Sequence, residues 1–198
     1  MGRAVQDVQF TDHCEMRGAS HRSLSERPPT YFGTNVPLDA GLGRIKSTDF
    51  AGYSRSVRIG FGPEAWTSAS SNLLRWEVKA RSGFSVWPMV NDSQAPIVKV
   101  GQRYWLIAHV GPVRIGEPVE VVEVADESNL KAFSYRTLAG HPIKGEEAFI
   151  IDRREDGSVW FTVRSVSSAG DGVWRVAYPL LRAAQPLYRR RYFKSLAQ

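Results

Sequence analysis

Glu147-Ala148-Phe149-Ile150-Ile151-Asp152-Arg153-Arg154-Glu155-Asp156-Gly157-Ser158-Val159-Trp160-Phe161-Thr162-Val163-Arg164-Ser165-Val166 reads as two strands about a tight turn, and the fold follows from it. Glu155-Asp156-Gly157 lies between two apolar, aromatic and β-branched runs, which is a strong hairpin signal because Gly accepts the positive φ of a short turn. The segments before it repeat the pattern. Lys131 to Leu138 places Phe133, Tyr135 and Thr137 on one face, and Glu117 to Ala125 sets Val119 and Val121 against Glu120 and Val122. Arg103 to Val110 is a further strand. Consecutive strands with short connections are antiparallel neighbours rather than βαβ units.

Outward from this run, the elements become helical at both ends. Ser54 to Phe61 reads as a strand, and Gly62-Pro63 then opens a helix, with Pro63 suited to the first helical position. Trp66, Ala69, Leu73, Trp76 and Ala80 recur every three or four residues, which predicts one buried helical stripe ending at Ser82-Gly83. Phe84 to Trp87 resumes as strand. Near the C-terminus a helix is expected to start around Tyr178-Pro179, with Leu181, Ala184, Tyr188, Tyr192 and Leu196 on one face and a kink at Pro186. The order is thus strand, helix, about six strands and a long helix. This predicts an α+β helix-grip, a curved antiparallel sheet of six or seven strands around a long C-terminal helix. Such a pairing leaves an apolar cavity between sheet and helix unless large side chains fill it.

Residues 1–29 show no sustained period and end in Arg27-Pro28-Pro29, which predicts a mobile polar tail before a single domain spanning 30–198. With 198 residues, 42% hydrophobic content and six tryptophans, the chain can build a real core. No run approaches the roughly 18 apolar residues of a membrane span. The polar start at Met1-Gly2-Arg3-Ala4 predicts no secretory leader, and Asp7 stands where a myristoylation signal takes Ser or Thr. One cysteine, Cys14, excludes an internal disulfide and fits the reducing cytoplasm. The net charge of +6 is local: after Asp171 there is no acidic side chain, while Arg175, Arg182, Arg189, Arg190, Arg191 and Lys194 follow. A solvated helix face with cations near its C-terminus accounts for this. A nucleic-acid role is disfavoured, since the rest of the chain carries no basic stripe.

Tyr135-Arg136-Thr137-Leu138-Ala139-Gly140-His141-Pro142, followed by Gly145-Glu146-Glu147-Ala148-Phe149, resembles the signature of uncharacterised protein family 0548, a bacterial and plant domain of unknown function. Thr30-Tyr31, Gly60-Phe61-Gly62, Trp76 with Gly83-Phe84 after it, and Arg190-Arg191-Tyr192 fall in the same order as that family's landmarks. The family commonly has histidines near Tyr53-Ser54-Arg55 and where this chain has Phe61. This chain has neither. The resemblance implies a fold similar to the START-like, birch-pollen-allergen-like superfamily, whose members range from lipid carriers to cyclases, so it implies no activity.

Candidate functional residues concentrate in the GHPIKGEE segment, expected as a loop between two strands. His141 could act as a general base with Glu146 or Glu147 beside it at a cavity mouth. The competing reading is conformational, with Gly140 and Gly145 supplying positive φ and Pro142 stiffening the turn. Tyr135, Trp105, His109, Tyr188 and Tyr192 are candidate ligand-binding residues, His109 only if the Trp105–Ile107–His109 face points inward. Arg58, Arg136 and Arg164 could reach an acidic ligand from strands or could face solvent. The four histidines have no metal-ligand spacing, and no phosphate loop, nucleophile elbow or dinucleotide fingerprint appears, so neither metal nor cofactor is expected. Three functions fit these features. They are a small-molecule binder holding an apolar or aromatic ligand, an enzyme of cyclase, isomerase or dehydratase type acting on such a ligand, and a binder of nucleic acid or an acidic partner through the C-terminal arginines.

Overall fold

The computed structural model describes residues 23–33, 36, 38, 50–87 and 96–197. Seven strands form one antiparallel sheet: β1 (Ala51–Phe61), β2 (Phe84–Trp87), β3 (Arg103–Val110), β4 (Val113–Asp126), β5 (Leu130–Thr137), β6 (Ile143–Arg153) and β7 (Ser158–Ala169). Their spatial order is β1-β7-β6-β5-β4-β3-β2. The first strand therefore docks on the last, and everything from β2 to β7 is a plain meander built from hairpins. The helices are α1 (Gly62–Leu74), α2 (Glu77–Ala80) and α3 (Val173–Ser195). This is the helix-grip architecture expected from the element order.

Alternation decides which side chains meet. In β5 and β6, Tyr135 stands opposite Glu147, and Phe133 opposite Phe149. In β7, Ser165 lies opposite Glu147 and Val163 opposite Phe149. These residues share the inner face. There Trp76 packs edge-on against Phe133 with ring centroids 4.8 Å apart, and Phe149 stacks on Phe161 at 6.2 Å. Burying such rings contributes about 1.5–3 kcal/mol each before any geometric preference between them. The opposite face carries a smaller cluster around Ile150, Val166, Ala148 and Ala132, covered by Tyr31, Val36 and Leu38.

Three local expectations change. The helical stripe from Trp66 to Ala80 is not one helix. Trp76 takes a left-handed conformation at φ 63°, breaking the run into α1 and α2. The break leaves Ala80 exposed and swings Val78 and Lys79 inward instead. The C-terminal helix starts at Val173, a turn and a half before Tyr178, and runs through both Pro179 and Pro186. Of residues 23–29, expected within the mobile tail, Ser23, Ser25, Glu26 and Pro28 are exposed, but Arg27 is buried with its guanidinium over the Trp105 ring, and Pro29 bridges to Leu138. Residues 1–22, with His13, Cys14 and His21, lie outside the described residues.

Candidate functional site

Between the concave face and α3 lies a cavity of about 130 Å³. The sheet supplies Glu117 (β4), Tyr135 and Thr137 (β5), Gly145 and Glu147 (β6), and Ser165 and Ser167 (β7). Phe84 of β2 and Lys79 of α2 close one end, while Leu181, Ala184, Tyr188 and Tyr192 of α3 form the opposite wall. Leu181, Ala184, Tyr188 and Tyr192 belong to the apolar stripe seen in the sequence, so that stripe lines the cavity.

The end of the cavity is charged. Lys79, only 2% exposed, sits 2.8 Å from Glu147 Oε2 and donates to the Tyr192 hydroxyl at 2.6 Å. Its ammonium also lies 4.5–5.3 Å from the ring centroids of Tyr192, Phe84, Tyr135 and Phe149, an aromatic surround that favours a cation. Tyr135 donates to the same Glu147 oxygen at 2.5 Å. Burial, followed by the negative charge of Glu147, pushes the phenols of Tyr135 and Tyr192 well above the ordinary tyrosine range, so both remain hydroxyl donors.

Glu117 and His141 form the second half of the polar end. Burial lifts the Glu117 carboxyl from 4.5 to about 7, with nearby Lys79 opposing the rise and Glu147 adding to it. Burial, then the Lys79 charge, lowers His141 from 6.5 to about 3, against the opposing effect of its backbone hydrogen bond. His141 is therefore a neutral imidazole. Its Nδ1 accepts the Ile143 N–H at 2.9 Å, which assigns the ring proton to Nε2. That Nε2 stands 3.7 Å from Glu117 Oε2, too far for a hydrogen bond between them. Among the described residues the Glu117 carboxylate has no hydrogen-bond partner, so a titratable acid and an N–H donor face the cavity side by side.

The loop carrying His141 is held from outside. Arg27 Nη1 donates to Ala139 O at 2.6 Å, Ala139 N to Pro28 O at 2.8 Å, and Thr30 N to Thr137 O at 2.9 Å. Gly140, at φ 95°, turns directly against Arg27, and a Cβ there would come within 2.5 Å of Nη1. Residues 27–30 thus clamp the turn that presents the imidazole.

The sequence-predicted residues divide sharply. Tyr135, His141, Glu147, Tyr188 and Tyr192 converge on the cavity. Glu146 borders it, but its carboxylate turns away: β6 already begins at Ile143, so neighbours Glu146 and Glu147 point to opposite faces rather than sharing a loop. Glu146 Oε1 accepts the Val36 N–H at 2.9 Å, and burial raises its pKa on that far side. Trp105 and His109 are also corrected, because Tyr104, Leu106 and Ala108 take the inner face of β3. Trp105 lies under Arg27 on the outer face, and exposed His109 bonds Ser85 at 2.8 Å. Arg58 is exposed and Arg136 pairs with Glu120 at 3.1 Å. Two site residues were missed. Glu117 shares the parity of Val119 and Val121, a signal present in the sequence. Lys79 had none, since its inward turn depends on the break at Trp76. No cluster able to hold a metal ion occurs among the described residues.

A curved antiparallel sheet gripping a long C-terminal helix over a cavity with one charged end defines a helix-grip protein. The family model that matches, Domain of unknown function (DUF1990), spans residues 41–195, and the chain belongs to that family. It is similar to a UPF0548 protein of Deinococcus radiodurans, 31% identical over 183 residues that cover 87% of this chain and 88% of the relative. The structure is similar to hypothetical protein jhp0584 of Helicobacter pylori, with a TM-score of 0.57 at 10% identity over 84% of this chain and 98% of the other. A START superfamily protein from Mycobacterium smegmatis aligns with a TM-score of 0.49 at 14% identity over 73% and 93%. No described helix is long and apolar enough to cross a membrane.

Proposed function

We propose that this protein binds one small molecule with an aromatic or apolar body and a polar, uncharged end, seated between the sheet and α3. The observation that carries the reading is the pairing of a ligand-sized space with polar groups left available at its end. A void of about 130 Å³ is on the scale that holds a single aromatic ring. Phe84, Tyr188, Leu181 and Ala184 supply the apolar wall, and Glu117 with His141 Nε2–H supplies an acceptor and a donor. Lys79 and Glu147 neutralise each other, so the ligand need not carry a compensating charge. The lone cysteine supports a reducing, cytoplasmic setting.

Acid–base turnover of the ligand is the second reading, favoured by one observation: Glu117, held near pH 7, stands beside a neutral imidazole. Native mass spectrometry of the purified protein tests binding, with a stoichiometric small-molecule adduct expected. Glu117→Gln keeps the shape and removes the titrating acid, so under the binding reading it retains the adduct, and under the catalytic reading it retains the adduct while abolishing conversion. An empty protein that also fails to take up single-ring phenols or amides in calorimetry sinks the proposal.

A further inference from the structure

The outer surface of α3 has a pattern the cavity does not use. Val173, Val176, Leu180 and Leu187 are 68%, 83%, 77% and 53% exposed. With exposed Ala183 they fall at spacings of three and four, on an exposed stripe roughly 100° around the helix from the stripe of Leu181, Ala184, Tyr188 and Tyr192. At 1.5 Å per residue the stripe from Val173 to Leu187 is about 21 Å long. Apolar residues at a and d spacing on a helix are ordinarily covered by something.

Charge narrows what covers it. Exposed Arg175 and Arg182 lie one heptad apart along one flank, and Arg190, Arg191 and Lys194 continue the exposed surface beyond Leu187. No acidic side chain occurs from residue 172 onward, and Asp171 is already paired with Lys144 at 2.6 Å. A second copy of α3 would bring arginines against arginines. Nucleic acid would use the cations and leave the apolar stripe in water. An anionic lipid surface satisfies both, with the stripe entering between headgroups and the arginines resting on phosphates.

We infer that α3 docks the protein on anionic lipid bilayers through Val173, Val176, Leu180 and Leu187, flanked by Arg175, Arg182 and Arg190. This does not depend on the ligand reading, because none of the docking residues lines the cavity.

Co-sedimentation of the full chain with vesicles of phosphatidylcholine, with and without phosphatidylserine, tests it. Binding is expected with the anionic vesicles and to weaken as salt rises. Arg175→Gln with Arg182→Gln is expected to reduce the partition coefficient by about fivefold per arginine removed. Leu180→Ser with Leu187→Ser, both at exposed positions and so compatible with folding, is expected to reduce it by tenfold or more. Three results would overturn the inference: equal partitioning to neutral and anionic vesicles, unchanged binding of the Leu180/Leu187 variant, or no vesicle binding by a protein that dimerises or binds duplex DNA through α3.

Discussion

At the scale of single residues, the polar end of the cavity makes two predictions. Lys79 and Glu147 are a buried pair whose halves are worth little apart. Lys79→Met leaves Glu147 facing aromatic rings with, among the described residues, only the Tyr135 hydroxyl as hydrogen-bond partner, and should cost about 3 kcal/mol of unfolding free energy in urea. Adding Glu147→Gln should recover part of that loss, which a double-mutant cycle reads directly. Glu117 and His141 pull the pH dependence in opposite directions. Glu117 is raised in the fold, so its contribution is complete below pH 4.5 and is lost as pH rises through 7, by at most about 3 kcal/mol. His141 is lowered, so its contribution is present above pH 6.5 and is lost as pH falls toward 3. Between pH 4.5 and 6.5 the two offset each other. Glu117→Gln should therefore expose a loss of stability on acidification, and His141→Gln a loss on going from pH 5 to 8. Urea midpoints at several pH values check both, and two variants with parallel profiles would refute the pairing.

At the scale of elements, what the sequence revealed depended on how local the cause was. Strands β2 to β7 could be read because alternation is written residue by residue: Phe133 and Tyr135 on β5 announce the inner face without reference to anything distant. The same parity places Glu117 inward, although a carboxylate in that position looks like a solvent residue until the sheet curls over it. The α1–α2 break was illegible, because a tryptophan at φ 63° is held there by its burial against Tyr104 and Phe133, contacts between segments far apart in sequence. Lys79 was lost with it. Gly-His-Pro signals a turn and so groups Glu146 and Glu147 in a loop, yet Gly145 sits in a strand, where a Cβ would fall 1.9 Å from Val166 O. In α3 the prolines predict stability rather than site. Pro186 is exposed inside the helix and withholds a backbone donor, so Pro186→Ala should raise the melting temperature by several degrees, corresponding to about 1–3 kcal/mol. If Pro186 instead keeps α3 off the sheet, the same variant should bind ligand more weakly, which calorimetry separates from the gain in stability.

At the scale of the molecule, α3 is a wall attached differently from the rest. Strands β5, β6 and β7 bury side chains on both faces, with Phe133, Phe149, Ile150, Phe161 and Val163 wholly inaccessible. Along α3 only Tyr192 and Ser195 are buried, both in the last turn, and the first two turns are held mainly by partly exposed residues. Cooperative opening should follow that gradient, since regions with few buried apolar contacts open at a fraction of the global unfolding free energy. Hydrogen exchange is expected to find the amides of residues 173–186 exchanging sub-globally while those of β5–β7 exchange only through global unfolding. The C-terminal turn around Tyr192 should behave as the hinge, because Lys79 and Glu147 fasten it to the sheet. A ligand seated against Leu181, Ala184 and Tyr188 must then slow exchange in residues 173–186 more than anywhere else, by a factor that grows with its free concentration above Kd. Uniform protection across the whole sheet and helix would mean that α3 does not open separately, and the ligand would need a route between β1 and β2 instead.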